Sequence, residues 1–151
     1  MSAKAILLVE DNPSDIALTK RAFEKNRISN ELIVAEDGQQ ALDYLLGKDG
    51  HPPLAELPAL VLLDLKLPIV DGLTVLQRLR ADPRTRRLLV VVLTSSLEQQ
   101  DLATSYDLGI NSYIRKPVDF AQFSSTIAQL GLYWLVINEA PPQVIRAEGG
   151  L

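Results

Sequence analysis

The chain has 151 residues, of which 47% are hydrophobic and 23% are charged. This length and composition are typical of one globular domain, and they exclude disorder as the main state. There is no cysteine, which excludes disulfides, zinc–thiolate sites, iron–sulfur clusters and a thioether-linked chromophore, and there is one histidine. The formal net charge of −4 argues against general nucleic-acid binding.

The chain carries no signal for a membrane. An uninterrupted span of about 18 apolar residues is missing, and the segment before the first apolar run is too short for a signal peptide. We therefore expect a cytoplasmic protein without membrane contact.

The first third of the chain predicts two strands and two helices. Residues 5–9 form a continuous apolar run, which is typical of a strand buried on both faces. Asn12 then caps a helix that runs to about Lys25. Residues 32–35 form a second short strand, and an apolar stripe follows as a helix that ends at Gly47.

A loop rich in proline separates these elements from the third strand. Residues 48–58 contain three prolines and one glycine, so they predict irregular structure. His51 lies inside this loop, and we interpret it as an exposed loop residue without a catalytic role. The third strand follows at residues 59–63 and ends in Asp64.

The rest of the sequence alternates between predicted helices and strands. After Asp64 the sequence predicts a helix that stops before Pro83, a strand at 88–93 followed by Thr94, and a helix at 97–108. A strand at 112–114 then precedes Lys116. The last helix begins at Asp119, and Gln122 completes a capping box. A strand followed by a helix thus occurs five times. This order predicts an α/β fold with one parallel sheet covered by helices on both faces.

Polar side chains stand at the ends of four of the five predicted strands. They are Glu10, Asp11, Asp64, Thr94 and Lys116. Ligand sites of parallel sheets lie at the carboxyl ends of the strands, so these groups should converge. Three clustered carboxylates repel one another unless a cation neutralises them, and oxygen ligands suit Mg²⁺ or Mn²⁺. A carboxylate can also accept a phosphoryl group, with the lysine and the hydroxyl stabilising its charge.

Five separated motifs resemble the receiver domain of bacterial two-component response regulators. They are Glu10-Asp11, the run from Asp64 to Pro68, Asp71-Gly72, Thr94-Ser95 and the run from Tyr113 to Pro117. The resemblance extends over about residues 3–130. It implies a (βα)5 doubly wound sheet of flavodoxin-like strand order.

The resemblance also implies a role for each matching residue. Asp64 would accept the phosphoryl group from the phosphohistidine of a sensor histidine kinase. Glu10, Asp11, Asp64 and the backbone carbonyl of Lys66 would bind Mg²⁺. Thr94, Ser95 and Lys116 would accommodate the phosphoryl group, Tyr113 and Thr94 would form the switch, and the Lys116–Pro117 bond would be cis.

Two positions depart from the common family pattern. Glu10 stands where the family often has aspartate, and its longer side chain suggests contact with Mg²⁺ through water. Lys66 lies two residues beyond Asp64, at a position that the family uses to tune hydrolysis of the acyl phosphate. We expect an altered phosphate lifetime, and the sequence leaves open whether Lys66 shields the phosphoryl group or extends into solvent.

The C-terminal segment is longer than a minimal receiver requires. We assign residues 1–137 to the receiver domain, with an extended last helix, and residues 138–151 to a tail. The last helix is apolar all round, which predicts a homodimer or a partner surface at Leu132, Tyr133, Trp134, Val136 and Ile137. This segment, together with the proline-rich loop and the sequence around Asp64, resembles single-domain regulators paired with bacterial phytochrome kinases.

The sequence leaves alternatives for function and for one charged segment. A covalent phosphohydrolase is disfavoured, because Lys66 stands where dehalogenase-like phosphatases need an acid/base aspartate; only slow self-dephosphorylation is expected. A receiver-fold dimerisation or interaction module that is not phosphorylated is the alternative. The five arginines within residues 78–87 indicate either a solvated helix end or a docking surface for an acidic partner.

Overall fold

The computed structural model describes residues 4–95, 99–116 and 119–130. In this part of the chain five parallel strands form one sheet in the order β2-β1-β3-β4-β5. The predicted doubly wound α/β fold is therefore confirmed. The elements in chain order are β1 (Ile6–Val9), α1 (Pro13–Lys25), β2 (Leu32–Ala35), α2 (Gly38–Leu46), β3 (Leu60–Leu63), α3 (Gly72–Ala81), β4 (Val90–Thr94), α4 (Gln99–Asp107), β5 (Ser112–Arg115) and α5 (Phe120–Leu130).

The three central strands are buried on both faces, as their continuous apolar sequences predict. Alternate residues of each strand point to opposite sides, so the sheet divides the core in two. Leu7 and Val9 of β1 face a cluster that includes residues of α2 and α3. Ile6 and Leu8 face the second cluster, to which α1 and α5 contribute.

The element boundaries differ from the sequence-based expectation by one or two residues at several ends. The fourth strand begins at Val90 rather than at residue 88, because the Leu88 amide donates to the Thr85 carbonyl in a tight turn. The fifth strand extends one residue further, to Arg115, which pairs with Thr94. The described part of the fourth helix is Gln99–Asp107.

Side-chain caps begin two of the helices where the sequence predicts them. The Asn12 carboxamide oxygen accepts hydrogen bonds from the amides of Ser14 (2.8 Å) and Asp15 (3.1 Å). The Asp119 carboxylate accepts one from the Gln122 amide (3.0 Å). These bonds satisfy amides that have no partner within the first turn of a helix.

The arginine-rich segment is only partly the solvated surface that the sequence suggests. Arg78, Arg86 and Arg87 are exposed, but Arg80 donates to four backbone carbonyls. Its partners are Leu108 (2.6 Å), Arg86 (2.9 Å), Leu88 (2.8 Å) and Gly109 (3.1 Å). The guanidinium therefore joins α3 to the ends of α4 and of the α3–β4 turn. Sequence patterning misses this role because the carbonyls come from distant segments.

A second arginine fixes the proline-rich loop. Arg84 donates to the carbonyls of Leu45 (2.7 Å) and Leu54 (2.5 Å), one on α2 and one in the loop. His51 is exposed, in agreement with its interpretation as a loop residue. It exchanges two backbone hydrogen bonds with Lys48.

Three expectations concern residues outside the described part of the chain. They are the boundary between residues 137 and 138, the apolar surface at residues 132–137 and the cis Lys116–Pro117 bond, and they stay predictions. Within the described ranges, no helix is long and apolar enough to span a bilayer.

We predict that Arg80→Met lowers the free energy of unfolding by about 2–4 kcal/mol, because the substitution removes several charge-assisted hydrogen bonds to partly buried carbonyls. Urea denaturation monitored by circular dichroism measures this change. Arg78→Met on the same helix is the matched control, since Arg78 is exposed, and it should shift the value by no more than about 0.5 kcal/mol. Equal effects of the two substitutions would contradict the assignment.

Candidate functional site

The candidate site lies where the strand order reverses. Strand β1 pairs with β2 on one side and with β3 on the other, so the chain leaves the sheet in opposite directions at its carboxyl edge. Val9 and Leu63 are direct partners across β1 and β3. The next residues, Glu10 and Asp64, therefore stand side by side at this edge.

Three carboxylates converge in the crevice, as the sequence predicts. Glu10, Asp11 and Asp64 each place one carboxylate oxygen so that all three atoms lie within 4.8 Å of one another. Glu10 and Asp64 are 1% and 5% exposed, whereas Asp11 is exposed. A group of oxygen donors open to solvent on one side suits Mg²⁺, which usually keeps several of its waters.

The Lys116 ammonium lies at the centre of the buried part of the site. Its nitrogen is 2.7 Å from Glu10 Oε1, 3.0 Å from Asp64 Oδ2 and 2.8 Å from Asp15 Oδ2. The backbone places it there, because the Lys116 amide donates to the Thr94 carbonyl at the end of β4. One cation thus balances carboxylates that would otherwise repel one another.

Asp15 is the site residue that sequence reasoning misses. It lies in the first turn of α1, four residues beyond Asp11, and its carboxylate contacts the same ammonium as Glu10 and Asp64. The available signal was its position in the first turn of the helix that follows Glu10-Asp11, close to the carboxyl end of β1. That signal is weak, since an acidic residue in a first turn also has a favourable interaction with the helix dipole.

Burial and hydrogen bonds shift the pKa values of Glu10 and Lys116. Burial raises the pKa of Glu10 to about 7, although the hydrogen bond from Lys116 partly opposes the shift. Burial by itself would lower the pKa of Lys116, but hydrogen bonds to Asp15, Glu10 and Asp64 outweigh it and raise that pKa above its usual value. The ammonium therefore stays charged throughout the physiological range.

Both carboxylate oxygens of Glu10 have partners. Oε1 accepts a hydrogen bond from Lys116, and Oε2 accepts one from the Asn12 amide at 3.2 Å. The water-mediated contact with Mg²⁺ that the sequence suggests for Glu10 stays a prediction.

The loop after β3 is held close to Asp64 by its own backbone. The Lys66 amide donates to Asp64 Oδ1 at 3.0 Å, and the Gly72 amide donates to the Leu65 carbonyl at 2.9 Å. A Cβ atom on Gly72 would overlap the Asp64 carbonyl, so only glycine fits this approach. The role expected for the Lys66 carbonyl stays a prediction. The Lys66 ammonium lies near α4, 3.8 Å from Asp101 Oδ2.

The remaining predicted residues lie on β4 and β5. Thr94 is fully buried at the carboxyl end of β4, and Ser95 directly after it is exposed. Tyr113 on β5 is half-buried and packs against the core cluster shared with α2 and α3, and its hydroxyl oxygen is shielded from solvent. The tyrosine ring therefore faces inward.

The fold and the acidic crevice define a class of protein: a doubly wound α/β domain with a carboxylate cluster that could hold a divalent cation and a buried carboxylate at its topological switch point. The chain belongs to the response regulator receiver domain family, whose model matches residues 6–128. Receiver domains are signalling proteins of two-component systems, and they bind Mg²⁺ through an acidic cluster such as Glu10, Asp11 and Asp64.

Known relatives span nearly the whole chain. FilR2 of Methanothrix harundinacea, named a probable methanogenesis regulatory protein, is 42% identical over 90% of this chain and 86% of its own length. The bacteriophytochrome response regulator AtBRR is 51% identical, with a TM-score of 0.73 over 92% of this chain and 100% of AtBRR. The phosphorylated cyanobacterial phytochrome response regulator RcpA is 37% identical, with a TM-score of 0.81 over 93% and 100%.

We predict that Glu10 makes the Mg²⁺-free protein less stable as the pH rises from 4.5 to 7. Its pKa is higher in the folded protein than in the unfolded chain, so the native state retains a proton that the unfolded state releases across this window. The stability of wild type relative to Glu10→Gln should fall with increasing pH over that range and then level off. Urea titrations with a chelator present measure the difference.

The exposed Glu24 provides the control for this experiment, because Glu24→Gln on α1 changes one carboxylate outside the site. The pH dependence of the Glu10→Gln difference should exceed that of the Glu24→Gln difference. A Glu10→Gln difference that is equally flat between pH 4.5 and 7 would contradict the raised pKa.

Proposed function

We propose that this protein is a stand-alone response regulator that accepts a phosphoryl group on Asp64 from a sensor histidine kinase and signals through contacts with other proteins. The observation that carries the proposal is the position of Asp64. Its carboxylate lies among the residues that can bind Mg²⁺, and it is 3.0 Å from the Lys116 ammonium. A carboxylate in such a setting can act as a nucleophile toward phosphorus.

Transfer requires a carboxylate oxygen of Asp64 to bond to the phosphorus of a phosphohistidine while the phosphorus–nitrogen bond breaks. The electron pair of that bond returns to the imidazole. A bound Mg²⁺ would supply positive charge for the phosphoryl oxygens. Lys116 would remain close to the group that is transferred, and its positive charge would stabilise the acyl phosphate.

We assign the switch roles to residues of β4 and β5. The Thr94 hydroxyl would donate to a phosphoryl oxygen, and the short side chain of Ser95 would leave room for the group. Tyr113 would follow the movement of Thr94 and so carry the signal to the β4–β5 side of the domain. The proximity of β4 to β3 in the sheet supports this assignment.

We further propose that the kinase is a bacteriophytochrome. Two similar solved proteins, AtBRR and RcpA, are described as phytochrome response regulators. This chain has no cysteine for a thioether-linked bilin, so light would be sensed by the kinase and not by this protein. The two proteins would meet in the cytoplasm, and slow hydrolysis of the acyl phosphate would end the signal.

The first test is the intact mass after incubation with Mg²⁺ and acetyl phosphate. We expect wild type to gain the mass of one phosphoryl group and Asp64→Asn to gain none. Asp71→Asn is the matched control, because the Asp71 carboxylate caps α3 by accepting the Thr74 amide and asparagine also caps helices. It should be phosphorylated like wild type.

The outcomes separate the proposal from its alternative. If wild type and Asp71→Asn gain mass and Asp64→Asn does not, the result supports Asp64 as the phosphoacceptor. Phosphotransfer from an autophosphorylated bacteriophytochrome would then test the partner. If wild type gains no mass from acetyl phosphate although Mg²⁺ raises its melting temperature, a kinase-dependent acceptor and the interaction module that is not phosphorylated remain, and phosphotransfer from an autophosphorylated sensor kinase separates them.

We also propose a homodimer formed by the apolar residues that follow α5. The support is the sequence, in which Leu132, Tyr133, Trp134, Val136 and Ile137 leave no polar face. Size exclusion with light scattering at micromolar concentration should give twice the mass of the chain. Trp134→Glu should give a folded monomer, whereas a monomeric wild type would contradict the proposal.

A further inference from the structure

Asp15 joins the site from a helix, whereas the other carboxylates follow strands. It lies in the first turn of α1, and its Oδ2 atom is 2.8 Å from the Lys116 nitrogen. The Asp15 side chain is 29% exposed, and that of Lys116 is 11% exposed. Within the described residues, Lys116 is the cation with which the Asp15 carboxylate pairs. Any effect of Asp15 on the site should therefore pass through this contact.

Two hydrogen bonds fix the backbone of Asp15. Its amide donates to the Asn12 side chain at 3.1 Å, and its carbonyl accepts from the Thr19 hydroxyl at 2.9 Å. Thr19 is fully buried, so this turn of α1 is anchored in the domain. A carboxylate that is already held in place loses little further freedom when it pairs with a lysine. The contact with Lys116 is thus prearranged by the helix.

The Lys116 ammonium has as many donors as it has carboxylate neighbours. A lysine ammonium carries three N–H groups, and carboxylate oxygens of Glu10, Asp64 and Asp15 lie 2.7, 3.0 and 2.8 Å from its nitrogen. Glu10 and Asp64 also belong to the group of oxygens that could hold a cation, and the third member of that group is Asp11. Asp15 therefore binds the ammonium without being a member of the candidate cation site.

Lys116 and a divalent cation compete for the same two carboxylates. An ammonium beside Glu10 and Asp64 weakens their attraction for a second cation and repels that cation directly. The negative charge of Asp15 offsets part of this repulsion. Its contact also keeps one ammonium donor away from the two candidate ligands. The crevice can thus contain a buried lysine and still attract a divalent ion.

We propose that Asp15 is a positioning residue that, through its contact with Lys116, raises the affinity of the acidic crevice for Mg²⁺. It acts as the counter-ion of the lysine and not as a metal ligand. The inference goes beyond the proposed function, because it concerns cation binding alone and does not require Asp64 to accept a phosphoryl group. It also gives α1 a direct electrostatic connection to the site.

The test is the dissociation constant of Mg²⁺, measured on the full chain by isothermal titration calorimetry without a phosphodonor. We expect Asp15→Asn to raise this constant about three- to tenfold, because asparagine keeps the shape of the side chain and removes the charge that faces Lys116. Asp15→Glu keeps a carboxylate at this position, so its constant should lie within about twofold of the wild-type value. Circular dichroism verifies that each variant is folded.

Two controls separate the contact with Lys116 from the effect of charge alone. Glu36 is exposed at the same sheet edge, since it follows the β2 residue that pairs with Val9, and Glu36→Gln should change the dissociation constant by less than about twofold. Ser14→Asp combined with Asp15→Asn moves the carboxylate to the preceding, exposed position of α1 and keeps the net charge. This double variant should bind Mg²⁺ as weakly as Asp15→Asn does.

Each outcome decides the question. A dissociation constant of Asp15→Asn within about twofold of the wild-type value would overturn the proposal. Recovery of the affinity in the double variant with Ser14→Asp would overturn it as well, because any nearby negative charge would then suffice. An Asp15→Glu variant as weak as Asp15→Asn would have the same consequence. A wild type that binds no Mg²⁺ would overturn this inference together with the cation site on which it depends, while phosphorylation of Asp64 would still be tested by intact mass.

Discussion

The Lys116 ammonium lies within 3.0 Å of carboxylates from three separate segments of the chain: Glu10 after β1, Asp15 on α1 and Asp64 after β3. These carboxylates are close enough to repel one another, and two of them are almost fully buried. A buried charge without a partner is strongly destabilising, so the carboxyl edge of the sheet depends on this cation. The position of β5, which delivers Lys116 to the site, is thereby tied to that of β1 and β3.

The same arrangement explains how one site can both persist and react. The lysine balances part of the negative charge from the buried side, while Asp11 faces solvent on the other side and leaves an approach for a hydrated cation. The raised pKa of Glu10 shows that the balance is incomplete, since burial still favours the neutral acid. A divalent ion or a phosphoryl group that enters from solvent would therefore change the charge balance of the site.

Coupling between the site and the rest of the domain runs through side chains that reach across elements. Lys66 extends from the loop after β3 to Asp101 on α4, and Arg80 extends from α3 to the carbonyls at the end of the same helix. Both side chains reach the α4 region: Lys66 forms an ion pair with Asp101 in the first turn of the helix, and Arg80 donates to the carbonyls of Leu108 and Gly109 that follow it.

The sequence by itself determined the alternation of elements, the strand ends and most of the site. Continuous apolar runs predict strands buried on both faces, and every such strand brings its next residue to the same edge, so Glu10, Asp11, Asp64, Thr94 and Lys116 could be assigned together. Only the tertiary structure decided which cation meets which anion. Asp15 contacts Lys116, Arg80 and Arg84 bind backbone carbonyls, and Lys66 pairs with Asp101, because these contacts join residues remote in sequence whose local pattern is that of an ordinary solvated surface.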